Sequence, residues 1–295
     1  MMNLNAEICN AFNRHASDYE QAADVQHEIG ERLLERLHYL KMQPQYVLDV
    51  GCGPGALTAR LKKQYPNAHI VGLDLAFEML KLANKKQRWR QKWGLVNADM
   101  AALPFVSGQF DLIFSNQVIH WAPSLAAVMR EFNRVLRPSG CIMFSTLGPD
   151  TFLELRQAFD KVDTHAHVND FLDMHDIGDC LLNEKFADPV MDMDKLTAHY
   201  KSLTDLVYGL KSQGVRNIHA NRNAGLMGKQ AWSLFEQSMA VFCTAEQKFP
   251  LTYEVVYGHA WKGAQQRTEH GVETLISVDQ LKSTLTNRTR LNSEA

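Results

Sequence analysis

The sequence predicts an α/β protein: a doubly wound, mostly parallel, seven-stranded sheet with a helical insertion after the fifth strand. Three observations carry this. Five short runs are apolar throughout rather than alternating, as strands covered on both faces must be. Amphipathic stretches separate those runs, so crossovers join them and the strands run parallel. Beyond about residue 150 the alternation loosens into helical patterns around two later strands.

Taken in order, Ile29, Leu33, Leu34, Leu37 and Leu40 recur at helical spacing ahead of Pro44. "YVLDV" (46–50) is the first strand and 56–65 its helix. "HIVGLD" (69–74) is the second, followed by a helix written through "AFEMLKLANKKQRWRQKW". "LVNAD" (95–99) is the third, "FDLIFSN" (110–116) the fourth with the helix "SLAAVMREFNRVL", and "GCIMFSTL" (140–147) the fifth with "DTFLELRQAFDKV". Helices at 173–183, 202–211 and 228–243 flank a strand near 189–199, and "LTYEVVYGHAW" (251–261) alternates as a late strand. We read 1–265 as one domain, with 1–43 a helical cover, 44–147 a ligand-binding core and 148–265 the substrate side. Residues 266–295 form a polar tail expected to fray.

Of 295 residues 45% are hydrophobic, enough for a buried core, and 31 basic against 33 acidic side chains leave a net charge of -2. Nothing global suggests a nucleic-acid partner. Cys9, Cys52, Cys141, Cys180 and Cys243 are scattered without a CxxC pair, which favours a reducing compartment over disulfides or zinc. The N-terminus lacks an apolar signal stretch and no segment reaches the roughly 20 apolar residues of a membrane span, so the expected location is cytoplasmic, away from membranes.

The glycine turn "GCGPG" after the first strand narrows the ligand. A phosphate-binding P-loop needs GxxxxGK[ST], whereas Ala56, Leu57 and Thr58 follow Gly55. A dinucleotide turn needs GxGxxG, and Asp49 at the strand end would repel a pyrophosphate while welcoming an ammonium group. S-adenosylmethionine fits, its amino group and carboxylate lying against Asp49 and the glycine backbone. Asp74 ends the second strand, where a carboxylate accepts from both ribose hydroxyls; that feature alone would also suit NAD. Asp99 is placed to accept the adenine amino group and Met100 to cover the ring.

"LDVGCGPG", "GLDLA", "NADMAALPF", "FDLIFSN" and "RVLRPSG" together resemble the class I S-adenosylmethionine-dependent methyltransferases, with their Rossmann-like sheet. The resemblance implies that Gly51, Cys52, Gly53, Gly55, Leu75 and Asn116 join Asp49, Asp74, Asp99 and Met100 around the cofactor. "AFNRHASDYEQAADVQ", "FSTLGPDTFLELRQAFDKVD", "HVNDF", "GLKSQGV" and "FPLTYEVVYGHAWK" narrow it to the malonyl-[acyl-carrier protein] O-methyltransferases of biotin synthesis, over roughly residues 8–263. Three positions depart from that family's habit: His120 replaces a glutamine before Trp121, Val215 a small residue, and Arg216 a threonine.

The implied reaction is methyl transfer to the free carboxylate of a malonyl thioester. That group is already ionised at neutral pH, so neither a general base nor a metal is expected. Two other readings remain open: a methyltransferase for another carboxylic acid such as trans-aconitate, and a non-catalytic protein that keeps the cofactor as a structural ligand. Phe12, Ala16, Tyr19 and Ala23 share a helical face that either covers the cofactor, with Tyr19 reaching the methyl or the acceptor, or simply packs. His120 and Trp121 lie just past a strand's C-terminal end, where open sheets bind ligands. Arg14, Lys211 and Arg216 are cations for the acceptor carboxylate or solvated surface charges, and His167 and Asn169 organise the insertion. The run "KKQRWRQKW" holds Lys85, Lys86, Arg88, Arg90 and Lys92 with no acid. It is a docking surface for an acidic acyl-carrier protein or a solvated helix face with its tryptophans inward.

Overall fold

The computed structural model describes residues 4–89, 91–215, 217–219, 221–222, 225 and 227–263, and the backbone of 265–268 and 271–274. Seven strands form one sheet in the order β3-β2-β1-β4-β5-β7-β6: β1 (Tyr46–Val50), β2 (His69–Asp74), β3 (Gly94–Asn97), β4 (Phe110–Asn116), β5 (Leu136–Leu147), β6 (Phe186–Tyr200) and β7 (Phe249–Lys262). The first five pair in parallel, and β7 runs antiparallel to both β5 and β6. The helices are α1 (Leu4–Ala22), α2 (Asp24–Arg36), α3 (Ala56–Gln64), α4 (Phe77–Lys86), α5 (Leu125–Val135), α6 (Leu153–Phe159), α7 (Met174–Asn183), α8 (Leu203–Ser212) and α9 (Lys229–Ala240). None among the described residues is long and apolar enough to cross a membrane.

The apolar strands divide by parity. Val47, Leu112, Phe114, Cys141 and Met143 join the core beneath Ile29 and Leu33 of α2. Their neighbours Leu48, Val50, Ile113, Ile142 and Phe144 join the opposite core beneath Val128, Met129 and Phe132 of α5. A period-2 chain buried on both faces has no room for a polar alternation, so the strands read as continuous apolar runs. β6, at the sheet edge, alternates between exposed and half-buried residues. Its register shifts between Ala187 and Val190, around Pro189, which has no N–H to give a ladder.

Three expectations change. The helix written through residue 93 ends at Lys86: Gln87 is extended and Arg88 bridges Gln91 in a tight turn. Like charges crowd that run, and Trp93 must turn inward to be buried at the foot of β3 while Trp89 is 81% exposed. The basic run is therefore no helix face, and its tryptophans do not share a side. The third strand stops at Asn97, which leaves Asp99 in the following turn. Within the predicted tail, β8 (Gln265–Thr268) and β9 (Gly271–Thr274) pair as an antiparallel ladder, and the rest of it lies outside the described residues.

Candidate active site

Strands β1, β2, β3 and β4 end along one edge, and α1 lies across it. The cleft beneath α1 spans about 800 Å³, open solvent at its mouth included. Three side chains fasten this cover: Asn5 donates to Asp99 at 2.6 Å, the Cys9 thiol to the Leu75 carbonyl at 3.4 Å, and the Glu78 N–H to Asn13 at 2.9 Å. Ala16 packs against Ala76 and Met79 with Phe12 and Tyr19 alongside, so the face read from the sequence is indeed turned inward.

The glycine turn has a different job from the one its composition suggests. The N–H groups of Gly51 and Cys52 both donate to the Leu73 carbonyl, Gly53 donates to Asp74 at 2.8 Å, and Gly55 to the Cys52 carbonyl. The turn thus spends its donors on the protein. What it offers a ligand is room: Gly53 has φ +52° and a Cβ there would meet nothing within 4 Å, because the position faces the open cleft.

Of the residues expected around a cofactor, Gly51, Gly53, Asp74, Leu75, Asp99, Met100 and Asn116 line the cleft. Asp49, Cys52 and Gly55 do not. Asp49 shares strand parity with Val47, so its side chain points under α3, where it accepts from the Thr58 hydroxyl at 2.5 Å and is 2% exposed. The Cys52 sulfur packs near Gly72, and Gly55 packs against Ala83 of α4. The Asp49 carboxylate, expected to meet an amino group, instead lies behind the cleft wall and is engaged by Thr58.

Asp74 holds its place through both oxygens, accepting from Gly53 and from Ala76, each at 2.8 Å. Burial raises its pKa to about 6, against the lowering effect of those backbone donors. Burial also raises Asp49 to about 7, opposed by the Thr58 hydrogen bond. A carboxyl group whose folded pKa lies above its ordinary 3.8 takes up a proton on folding between those values, so stability falls as pH rises from about 4 to 7. Asp49→Asn keeps an acceptor for Thr58 and removes this titration. Its urea midpoint is expected to vary less than the wild type's between pH 5 and 8.

A second chamber adjoins the cleft and spans about 450 Å³, open solvent included. Phe12, Tyr19, Gln117 and Trp121 line both spaces. Phe12 meets Trp121 edge-on at 5.6 Å and Tyr19 at 6.3 Å, so the junction is aromatic. Burial and the nearby Asp74 charge push the Tyr19 hydroxyl well above its usual range. His120 contacts Thr146 at 3.3 Å and packs edge-on to Phe171 at 5.6 Å. That desolvation lowers its pKa to about 3, leaving the imidazole neutral. Arg14 and Lys211 are exposed and line neither space, while Arg216 and Arg90 lie outside the described residues. Neither cation moves inward because neither has a buried partner to offset its desolvation. His167 stacks on Phe159 at 3.9 Å, and the Asn169 side chain accepts from the Ile218 N–H, so both do organise the insertion.

Asn5 and Gln117 escaped the sequence reading. Asn5 acts across 94 positions of chain, and nothing local announces it. Gln117 adopts φ +58° directly after β4, its N–H turned back to the Ser145 carbonyl at 3.0 Å. Among the described residues no three His, Cys, Asp or Glu side chains cluster as a metal site.

A sheet of this order with β7 reversed, a glycine turn after β1 and an acid ending β2 define a class I S-adenosylmethionine-dependent methyltransferase. Residues 48–144 match the family described as "Methyltransferase domain". Among solved structures, a methyltransferase bound to its Trm112 activator in Haloferax volcanii superposes with a TM-score of 0.58 at 14% identity, covering 88% of this chain and 100% of that one. A SAM-dependent methyltransferase of Thermotoga maritima gives 0.51 at 14% identity over 86% and 99%. These two speak to the fold alone. The malonyl-[acyl-carrier protein] O-methyltransferase of Legionella pneumophila is 58% identical over 280 residues, 95% of this chain and 99% of that protein. That of Gallionella capsiferriformans is 43% identical over 278 residues, 92% and 96% respectively. The chain belongs to the malonyl-[acyl-carrier protein] O-methyltransferase family.

Proposed function

We propose that this enzyme transfers the methyl group of S-adenosylmethionine to the free carboxylate of a malonyl group carried as a thioester on acyl-carrier protein, early in biotin synthesis. The observation that carries the reading is the aromatic junction of Phe12, Tyr19 and Trp121, shared by a cleft and an adjoining chamber in a chain 58% identical to a protein of that name. Aromatic faces suit a sulfonium, which is a cation without hydrogen-bond donors. In this reading Asp74 accepts from the ribose hydroxyls, Asp99 and Met100 hold the adenine, and Leu75 and Asn116 complete the walls.

The chain's task in the transfer is alignment. The acceptor is an ionised carboxylate with an ordinary pKa near 4, so it needs no base. Tyr19 stays protonated, and His120, its pKa lowered to about 3, is neutral but a weak base. Holding the oxygen about 3 to 3.5 Å from the methyl carbon, in line with the sulfur, is the work of the junction. Charge disappears along this reaction, so a chamber that solvates ions poorly and excludes water favours the transition state over the separated charges. All five cysteines are free, which supports placing the enzyme in a reducing, cytoplasmic setting.

Docking of the acidic carrier through the basic run is the finer part of this reading. Lys85, Arg88 and Lys92 are exposed, whereas Lys86 is paired with Glu20. The test is incubation with labelled S-adenosylmethionine and malonyl-carrier protein, malonyl-coenzyme A or trans-aconitate. A labelled ester on the malonyl thioesters is expected, and its absence from both would sink the reading. Reversing Lys85, Arg88 and Lys92 to glutamate is expected to raise KM for malonyl-carrier protein by about tenfold at low salt. An equal rise with malonyl-coenzyme A would remove docking from the account.

A further inference from the structure

The inner chamber is lined without a single charged side chain among the described residues; its polar members are Tyr19, Gln26, Gln117, His120, Asn169, Gln213 and Tyr253. Two of these carry a buried polar atom without a well-formed hydrogen bond. The Gln26 Oε1 has no donor, and the Tyr253 hydroxyl, only 1% exposed, has Tyr200 and Gln213 near it but neither in good hydrogen-bond geometry. Leaving such groups unpaired costs about 1 to 3 kcal/mol each, and native interiors rarely tolerate it without a ligand or water to answer them.

Gln213 dictates which end of Gln26 is left over. Gln213 is 3% exposed; its Nε2 donates to the Ala22 carbonyl at 2.8 Å, so its Oε1 must accept, and Gln26 Nε2 donates to it at 2.9 Å. The Gln26 oxygen is therefore fixed as an acceptor in search of an N–H or O–H. Tyr253, held edge-on against Phe152 at 4.9 Å, supplies a hydroxyl that donates and accepts.

One acceptor and one hydroxyl on the wall of the same uncharged chamber complement a secondary amide: N–H to Gln26 and C=O from Tyr253. A carboxylate is the wrong partner, since it only accepts and would face the Gln26 oxygen. We infer that Gln26 and Tyr253 bind the neutral amide-bearing arm behind the malonyl thioester, so that the enzyme selects carboxylates attached to such an arm over free polycarboxylic acids. This rests on the malonyl-thioester reading above, and it assigns both residues to positioning the acceptor.

The test compares two small malonyl thioesters, one of N-acetylcysteamine, which carries the amide, and one of ethanethiol, which does not. With wild type, kcat/KM is expected to be at least tenfold higher for the first. Tyr253→Phe, which keeps the ring, and Gln26→Leu are each expected to reduce that ratio at least fivefold through KM, with S-adenosylmethionine affinity unchanged. Ratios equal to wild type in both variants, or a common loss on both thioesters, would overturn the inference while leaving the malonyl reading intact. Wild type inert on every malonyl thioester would instead overturn that reading, and this one with it.

Discussion

Asp74→Ala is expected to weaken S-adenosylmethionine binding by a factor of about 100 or more while the chain stays folded. A hydrogen bond to a charged group contributes about 1.5 to 3 kcal/mol, and the ribose reading gives Asp74 two of them. The substitution also releases the N–H groups of Gly53 and Ala76, which both depend on this side chain for a partner at 2.8 Å. Loss at Gly53 loosens a glycine whose open side faces the cleft. Calorimetric titration measures the affinity, and urea unfolding without cofactor separates it from stability. Asp74→Asn, which keeps an acceptor on one side only, is expected to lie between the two. The wild type should show a matching pH dependence. Asp74 must be ionised to accept from both hydroxyls, and its pKa is raised to about 6. Affinity is expected to fall toward tenfold per unit below pH 6 and to flatten above it. A flat profile from pH 5 to 8, together with an unaffected Asp74→Ala, would remove Asp74 from the cofactor site.

The place of Asp74 on the cleft wall was legible in the sequence because it depends on local facts, a strand end and the spacing from a glycine turn. Asp49 shows where such reading stops. Its alternation with Val47 puts it on the α2 and α3 side of the sheet. That parity could have been counted, but the motif drew attention to the turn and away from the face. The four strands β1, β2, β4 and β5 stood out because burial on both sides forces apolar runs. The cover was half legible: the spacing of Phe12, Ala16 and Tyr19 marked an inward face, yet Asn5 and Asn13 bind partners that only the fold brings near. The inner chamber was least visible, since Gln26, His120, Asn169 and Tyr253 come from four separated segments and share no pattern. Cations were sought there because the acceptor is an anion, and the described lining holds none.

Gly51 and Gly53 offer the second large effect, and they should fail in opposite ways. Both have positive φ, +70° and +52°, where an alanine costs about 1 to 2 kcal/mol on backbone grounds alone. At Gly51 a Cβ would also sit 2.2 Å from Val118 Cγ2 and 2.9 Å from its Cβ. Val118 leads directly into the short 3-10 turn Ile119–Trp121, which carries His120 and Trp121, so it cannot simply withdraw. Gly51→Ala is therefore expected to lose about 3 kcal/mol of stability or more, read from urea unfolding. Val118→Ala should recover part of that loss in the double variant, because it removes the two methyl groups in the way. Gly53→Ala meets no protein atom, so its stability loss should stay near the backbone cost. Its new methyl group instead occupies the space kept for the ligand, and cofactor affinity is expected to fall about 50-fold. A Gly53→Ala protein that binds like wild type would mean that the cofactor does not approach the turn at this point. A stable Gly51→Ala protein would mean that Val118 yields, and that the turn before Trp121 is softer than its packing implies.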